Sequence, residues 1–389
     1  MRQVAPKSGP SKSMLIDARC VACGRTYDCH GPLSTCAACG SMLSCRYDYE
    51  KAKETLESSK ILGRAKDLWR YAEVLPILDP TNVVTLGEGH TPMVRLSNGL
   101  ILKDDGLIPT GTFKARGMAV AVSKAKELGL KKLAVPSAGN AGSALACYAA
   151  RAGISAKVFM PVETPESIVT ECRAYGAEVV QVQGNIGDAA ARMKQSMDGY
   201  FDMSTLKEPY RLEGKKTMGY EIAEQTGFEL PDAIVYPTGG GTGLLGMWKA
   251  FDEMEKLGWI GSERPRMFTV QSDACAPIVD AFSSGSEVPN PQFPDGVTVA
   301  IGLRVPRPFA GKQILSVLRE SKGSAVAVPE TGILSAMKSL VHEGIFACPE
   351  GAATLAGYTR LRDEGILGAD EQCLLYNTGT GLKYLDLLK

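Results

Sequence analysis

Gly106–Gly117, GLIPTGTFKARG, sets Lys114 directly after a turn. Pro109, Thr110 and Gly111 are turn residues, and they would deliver Phe113 and Lys114 to the mouth of a following helix, beside backbone N–H groups. A lysine kept partly dry there holds its proton less tightly. It can attack a carbonyl as a free amine, form a Schiff base and later move protons. The other reading of a lone lysine is a solvated surface charge.

Three further loops bear on that choice. Ser137–Ala144, SAGNAGSA, leaves a strand-like run and opens an alanine-rich helix. Free N–H groups at such a helix start, with the Ser137 hydroxyl and the Asn140 amide, form a site for a carboxylate, although a plain N-cap uses the same residues. In Pro237–Gly243, PTGGGTG, the glycines Gly239, Gly240, Gly241 and Gly243 flank Thr242. They let several N–H groups converge on one anion, or they make a tight turn. No Gly-Lys-Ser/Thr follows and the spacing does not fit GxGxxG, so a single phosphate rather than a nucleotide is the natural tenant. In Asn377–Lys383, NTGTGLK, the neutral Thr378 hydroxyl could face a heteroaromatic nitrogen that a carboxylate would instead hold protonated. His90, in the turn Thr85–Pro92, is either functional or a hydrogen-bonding spacer.

A separate cluster lies near the N-terminus. Cys20, Cys23, Cys36 and Cys39 form CVAC and CAAC knuckles with the spacing of one tetrahedral thiolate site, and Cys29, His30 and Cys45 lie nearby. The pattern reads as a structural zinc ribbon, a ribbon that has lost its metal, or a redox pair. A zinc would staple a segment too short to bury its own core.

The elements that must position these residues alternate. Runs at Leu133–Ser137, Ala156–Pro161, Ala177–Val182, Ala233–Thr238, Met267–Ser272, Ala325–Glu330 and Gln372–Thr378 are short, apolar and bounded by turn signals. Between most of them lie helical stretches such as Ala141–Ala152, Ser167–Tyr175, Asp188–Met197, Lys216–Thr226 and Leu244–Leu257, and Tyr49–Leu78 reads as one or two more helices. The class is α/β with mostly parallel sheets, whose strand-end loops carry the chemistry. Ser283–Pro308, rich in Pro, Gly and Ser, is predicted to be a long excursion over the surface or the mouth of the site.

Composition narrows the function classes. The chain has 389 residues, 44% of them hydrophobic and 22% charged, as expected of a soluble globular protein long enough for two domains. Basic and acidic residues number 43 each, so no charge excess points to nucleic acid or to a membrane surface. No segment approaches the length of a membrane span, and the first residues read as a flexible tail rather than a signal peptide. Six of the 11 cysteines fall in the first 45 residues and the rest are scattered, which suits a reducing cytoplasm.

A reactive lysine, a single-phosphate cup and a carboxylate cup together describe pyridoxal phosphate (PLP) holding an amino acid. The motifs GEGHTP, KDDGLIPTGTFKARG, SAGNAGSALACYAARAG, RLEGKKT, PTGGGTG and NTGTGLK, in that order, resemble the fold-type II PLP enzymes and most of all the threonine synthases. The resemblance covers roughly Thr85 to Lys383, and some members also carry paired CxxC motifs. It implies two open twisted, mostly parallel sheets flanked by helices: a large PLP-binding domain of residues 49–115 and 206–389 and a small domain of 116–205. These would follow a tail of 1–14 and a ribbon-like segment of 15–48.

It further implies that Lys114 carries the Schiff base, that Asn140 bonds the cofactor's phenolic oxygen, and that Gly239, Gly240, Gly241, Thr242 and Gly243 cradle its phosphate. Thr378 would meet the pyridine nitrogen. The substrate carboxylate would rest on Ser137, Ala138, Gly139, Asn140 and Ala141. The implied reaction is conversion of O-phosphohomoserine and water to threonine and phosphate by a cytoplasmic lyase, usually a homodimer. Threonine synthases commonly carry Asn and Asp where Ile108 and Ala115 stand. Where they carry an Asn-Ser-x-Asn-Pro-x-Arg stretch for the substrate phosphate, this chain has Ser204–Arg211, STLKEPYR, which keeps only Arg211, with Lys207 and Lys215 as further cations. Their phosphate cup often ends in Asn rather than Gly243. The all-glycine cup also resembles serine and threonine ammonia-lyases, and β-replacement on O-phosphoserine is a related alternative.

Overall fold

The computed structural model describes residues 12–292 and 298–388. It opens with β1 (Leu15–Cys20), β2 (Thr26–Tyr27) and β3 (Leu43–Tyr47), an antiparallel sheet in the order β2-β1-β3. The expected tail lies almost wholly outside the described residues. The ribbon is docked by polar contacts: Tyr47 Oη donates to Glu213 Oε2 (2.9 Å), Tyr49 Oη to Glu253 Oε1 (3.3 Å), and Lys249 Nζ to the Cys45 carbonyl (2.7 Å).

Next come β4 (Met93–Arg95) and β5 (Ile101–Asp104), then β6 (Lys132–Pro136), β7 (Ser155–Pro161), β8 (Glu178–Val182) and β9 (Phe201–Asp202). The chain closes its framework with β10 (Ala233–Pro237), β11 (Arg266–Ser272), β12 (Ser324–Val328) and β13 (Cys373–Asn377). A six-stranded sheet runs β12-β11-β10-β13-β5-β4, parallel except for the edge pair β4–β5, and a four-stranded parallel sheet runs β8-β7-β6-β9. Every residue of β10 and β13 is buried, as helix-covered parallel strands require.

All seven predicted strands are present within about two residues of their expected ends. Strands β4, β5 and β9 were not expected; at two to four residues they are too short to show a period. Two helical readings change. Tyr49–Leu78 is broken into Tyr49–Thr55, Ser58–Ile61 and a 3-10 segment, Leu68–Val74, with Asp48 and Asp67 accepting from backbone N–H groups where the first and last begin. The helix expected from Lys216 begins at Tyr210 instead. Its early glycine is a crossing point: a Cβ on Gly214 would lie 2.0 Å from the Arg116 carbonyl oxygen of the helix Lys114–Glu127.

The topology gathers the candidate loops. Parallel strands β6, β10 and β13 all deliver their following loops at carboxyl ends. Main-chain bonds stitch three segments together: Phe113 N–H donates to the Thr378 carbonyl (2.9 Å), Thr380 N–H to Gly111 (2.8 Å) and Cys348 N–H to Gly379 (2.8 Å). In the turn before the lysine, Thr110 has a φ of 63°, a region that favours glycine. Among the described residues no helix is long and apolar enough to cross a membrane.

Candidate functional site

A cavity of about 630 Å³ opens where the strand-end loops meet. Lys114, the first residue of its helix, lines the cavity, with Nζ 4.0 Å from the centre of the Phe113 ring. Burial, and then the Arg211 guanidinium, pull its amine down to about 8, while Glu350 and Cys348 oppose the shift. At pH 7 about a tenth of it is therefore unprotonated, far more than of an exposed lysine.

Gly239, Gly240, Gly241 and Thr242 form one wall, at the start of the helix Thr242–Leu257. Close packing excludes side chains from this turn. A Cβ on Gly239 would lie 2.2 Å from the Gly302 oxygen, and Gly241, at φ 76°, would meet Ile314 at 2.3 Å. Helix-start N–H groups and the helix dipole favour an anion there. Gly243 is not part of the wall: a Cβ there would lie 1.9 Å from the Tyr236 hydroxyl oxygen, so its need for glycine is one of packing.

The loop Ser137–Ala141 forms another wall. The Ser137 hydroxyl is spent inside the loop: it donates to the Gly139 carbonyl (3.0 Å) and accepts from the N–H groups of Gly139 (3.1 Å) and Gly142 (3.0 Å). The N–H groups of Asn140 and Ala141, in the first turn of the next helix, have no intrahelical acceptor and remain suited to a carboxylate. Asn140 Nδ2 donates to Tyr384 Oη (3.0 Å), and its buried Oδ1 has no hydrogen-bond partner. Thr378 lines the cavity, with the Cys348 thiol 3.6 Å from its hydroxyl. Glu350 and Tyr384, which sequence reasoning did not single out, line it as well.

Several expected participants stand elsewhere. Arg211 is buried behind the wall, with Nη1 donating to the Met203 carbonyl (2.6 Å). Lys215 is fully buried, 3.6 Å from the Phe113 ring centre, and burial followed by the charge of Lys114 drives its amine well down. His90 lies beside Arg70 (3.4 Å), outside the cavity. The cations that do reach the cavity include Lys194, Lys207, Arg304 and Arg307. The last two come from the Ser283–Pro308 excursion; its residues 293–297 lie outside the described set.

Beneath the lysine loop sits a dry ion network. Arg116 Nε and Nη2 meet Asp105 (2.7 and 2.8 Å), Nη2 also meets Glu221 Oε2 (2.8 Å), and Lys103 Nζ reaches the same oxygen (3.0 Å). All four side chains are fully buried or nearly so. Burial alone would raise the Glu221 carboxyl, but Arg116 and Lys103 overcome it and hold it far below the usual range.

In the ribbon, the sulfurs of Cys20, Cys23, Cys36 and Cys39 lie within 4.8 Å of one another. Four Zn–S bonds of about 2.3 Å in a tetrahedron need such a spacing, so this donor set fits a structural zinc. The Tyr27 hydroxyl, 3.0 Å from Cys36 Sγ, is the largest cause pulling that thiol down to about 6. Cys29, His30 and Cys45 stand outside the cluster.

The cavity fits PLP on the chemistry of its groups: an amine of lowered basicity, and a helix start whose glycine N–H groups suit a phosphate. The family described as "Pyridoxal-phosphate dependent enzyme" matches residues 84–379. Threonine synthase of Methanocaldococcus jannaschii is 37% identical over 376 residues, 94% of this chain and 92% of the relative. That of Methanosarcina acetivorans is 37% identical over 377 residues, 94% and 91% of the two chains. Among solved structures, maize serine racemase aligns with a TM-score of 0.66 at 22% identity, covering 77% of this chain and 90% of that one. The processed form of threonine deaminase isoform 2 from Solanum lycopersicum aligns with 0.65 at 20% identity, covering 98% of both; at such identities the likeness speaks for the fold alone. Lysine, cradle and full-length kinship agree, and the chain belongs to the threonine synthase family of PLP-dependent lyases.

Proposed function

We propose that the protein converts O-phosphohomoserine and water to L-threonine and phosphate. The observation that carries this reading is the 37% identity to a threonine synthase along 94% of this chain and 92% of that relative. Lys194 and Lys207 at the cavity support it, since a second phosphate needs cations beyond the glycine cradle. Incubation with O-phosphohomoserine and PLP is expected to release threonine and phosphate in equal amounts. Failure to release either rejects the assignment.

In this reading PLP, when bound, supplies an electron sink that lets a substrate carbon give up its proton and a leaving group depart. Lys114 takes and returns protons at the substrate carbons, as an amine of lowered basicity can. The N–H groups of Gly239–Thr242 hold the cofactor phosphate, with Gly243 allowing the helix to seat against Tyr236. Asn140 takes the phenolic oxygen. Thr378 faces the ring nitrogen as a neutral partner, which favours expulsion of a leaving group over transamination. The substrate carboxylate rests on Ser137–Ala141, with Ser137 holding the loop in shape.

One observation favours a second reading. Arg211, the retained member of the substrate-phosphate motif, bonds the Met203 carbonyl instead of lining the cavity. A substrate without that phosphate, such as serine or threonine undergoing deamination, suits this arrangement, whereas β-replacement on O-phosphoserine would still need cations for its own phosphate. Ammonia and a keto acid from serine or threonine would identify the former.

The lowered Lys114 amine gives a pH signature. Only the neutral amine attacks an aldehyde, so a lower pKa moves the reactive range down. Uptake of PLP by stripped protein, followed as growth of visible absorbance, is expected to accelerate up to about pH 8 and then level off. An exposed lysine would keep accelerating toward 10.5. We also read residues 49–115 with 206–389 as the large unit and 116–205 as the small one, which the separate six- and four-stranded sheets support. A cytoplasmic homodimer completes the reading, in keeping with 11 free cysteines and with exposed Leu107 and Leu382 on the stitched loops.

A further inference from the structure

The cavity holds a carboxylate that the reaction as drawn above does not use. Glu350 lies in the first turn of the helix Pro349–Asp363 and is 6% exposed. Its Oε1 accepts from the Gly302 N–H (2.7 Å), and Gly302 must lack a side chain for it to do so: a Cβ there would lie 2.8 Å from the same oxygen. Oε2 is enclosed and has no hydrogen-bond partner at ordinary distance. An unpaired buried carboxylate oxygen is costly, so its retention at a ligand cavity calls for a partner.

Tyr384 is that neighbour. It is 7% exposed, lines the same cavity, and its oxygen already accepts a hydrogen from Asn140 Nδ2 at 3.0 Å. With its acceptor side used, the hydroxyl has its own hydrogen left to give. After burial, the adjacent Glu350 charge is the largest influence keeping that hydrogen on the tyrosine. Glu350 has the same effect on the Cys348 thiol, where it again follows burial.

We propose that Glu350 and Tyr384 are positioning residues: when the cavity is filled, the Tyr384 hydroxyl donates to Glu350 Oε2, which fixes its oxygen as the acceptor for Asn140 Nδ2. The Asn140 amide is thereby held in one orientation, with the second Nδ2 hydrogen kept for the oxygen of the ligand beside it. No bond is made or broken within the trio. This inference rests on the reading of the cavity as a PLP site and adds residues that no sequence motif marks. A glutamine at 350 would keep the acceptor for Gly302 but offer an N–H to Tyr384. The tyrosine hydrogen would turn toward Asn140, and the asparagine would present the wrong end.

The test uses PLP-loaded full-length protein with E350Q, Y384F and the double variant. The first readout is the pH titration of the bound cofactor's visible absorbance, which merely structural damage would not move in a coupled way. Both single variants are expected to shift its midpoint in the same direction by about half a pH unit or more. Each should lower kcat about tenfold while changing KM much less, as loss of a supporting hydrogen bond does. The double variant should match a single one within about twofold, because the residues act through one another. Wild-type midpoints and kcat in both singles, or effects that multiply in the double, overturn the proposal. Y384F keeps the ring and its packing, so it reads the same relay if E350Q fails to fold. Wild-type protein that takes up no PLP would instead sink the reading of the cavity, and the relay with it.

Discussion

Replacing Lys114 by alanine is expected to lower turnover by more than about 10⁴-fold and to remove the visible absorbance of the covalently held cofactor. On the proposed mechanism the size follows from the number of tasks on one nitrogen: it would bind the aldehyde, and it would take and return protons at substrate carbons. The fold should survive, because the amine packs against the Phe113 ring and its removal takes away a buried amine. PLP should still bind reversibly, since the Gly239–Thr242 cradle is intact. The checks are absorbance before and after borohydride, and product formation with O-phosphohomoserine. Unchanged turnover together with unchanged absorbance would remove Lys114 from the chemistry.

The second large effect is on stability. Arg116→Met is expected to cost about 3–5 kcal/mol, measured as a lowered denaturant midpoint. The methionine fills much of the space, but Asp105 loses its cation and Glu221 keeps only Lys103, so one negative charge is left unbalanced where no water reaches it. Against a typical total of about 5–15 kcal/mol, that is enough to compromise folding. Neutralising one acid as well, in Arg116→Met with Asp105→Asn, leaves the buried Lys103–Glu221 pair balanced and should restore much of the loss. A double variant no more stable than the single one would mean that lost packing, not unpaired charge, sets the cost.

How much of this was legible in the sequence depends on the signal each feature leaves. The seven main strands announce themselves because a buried parallel strand is a short apolar run between turn residues. Lys114, Asn140, Thr378 and the glycines Gly239–Gly241 stand in motifs at strand ends, and the cavity gathers them. Gly243 and Arg211 looked equivalent to those neighbours, yet one serves the contact with Tyr236 and the other turns to the Met203 carbonyl. Only tertiary packing distinguishes a glycine that cradles from one that permits a crossing. The Ser137 hydroxyl was expected to face a ligand but is spent on its own loop, since a hydroxyl beside several N–H groups is satisfied locally first. Glu350 and Tyr384 left no trace in the sequence: an acid at a helix start and an aromatic near the end of the chain are common in any protein.

The bonds that tie Phe113 to Thr378, Thr380 to Gly111 and Cys348 to Gly379 are all made by main chain. Such ties are indifferent to which side chains flank them, so the loops can hold their places while side chains facing the cavity change. The scaffold can thus be inherited intact while its appetite changes, which accords with the shared architecture of a serine racemase and a threonine deaminase at 22% and 20% identity.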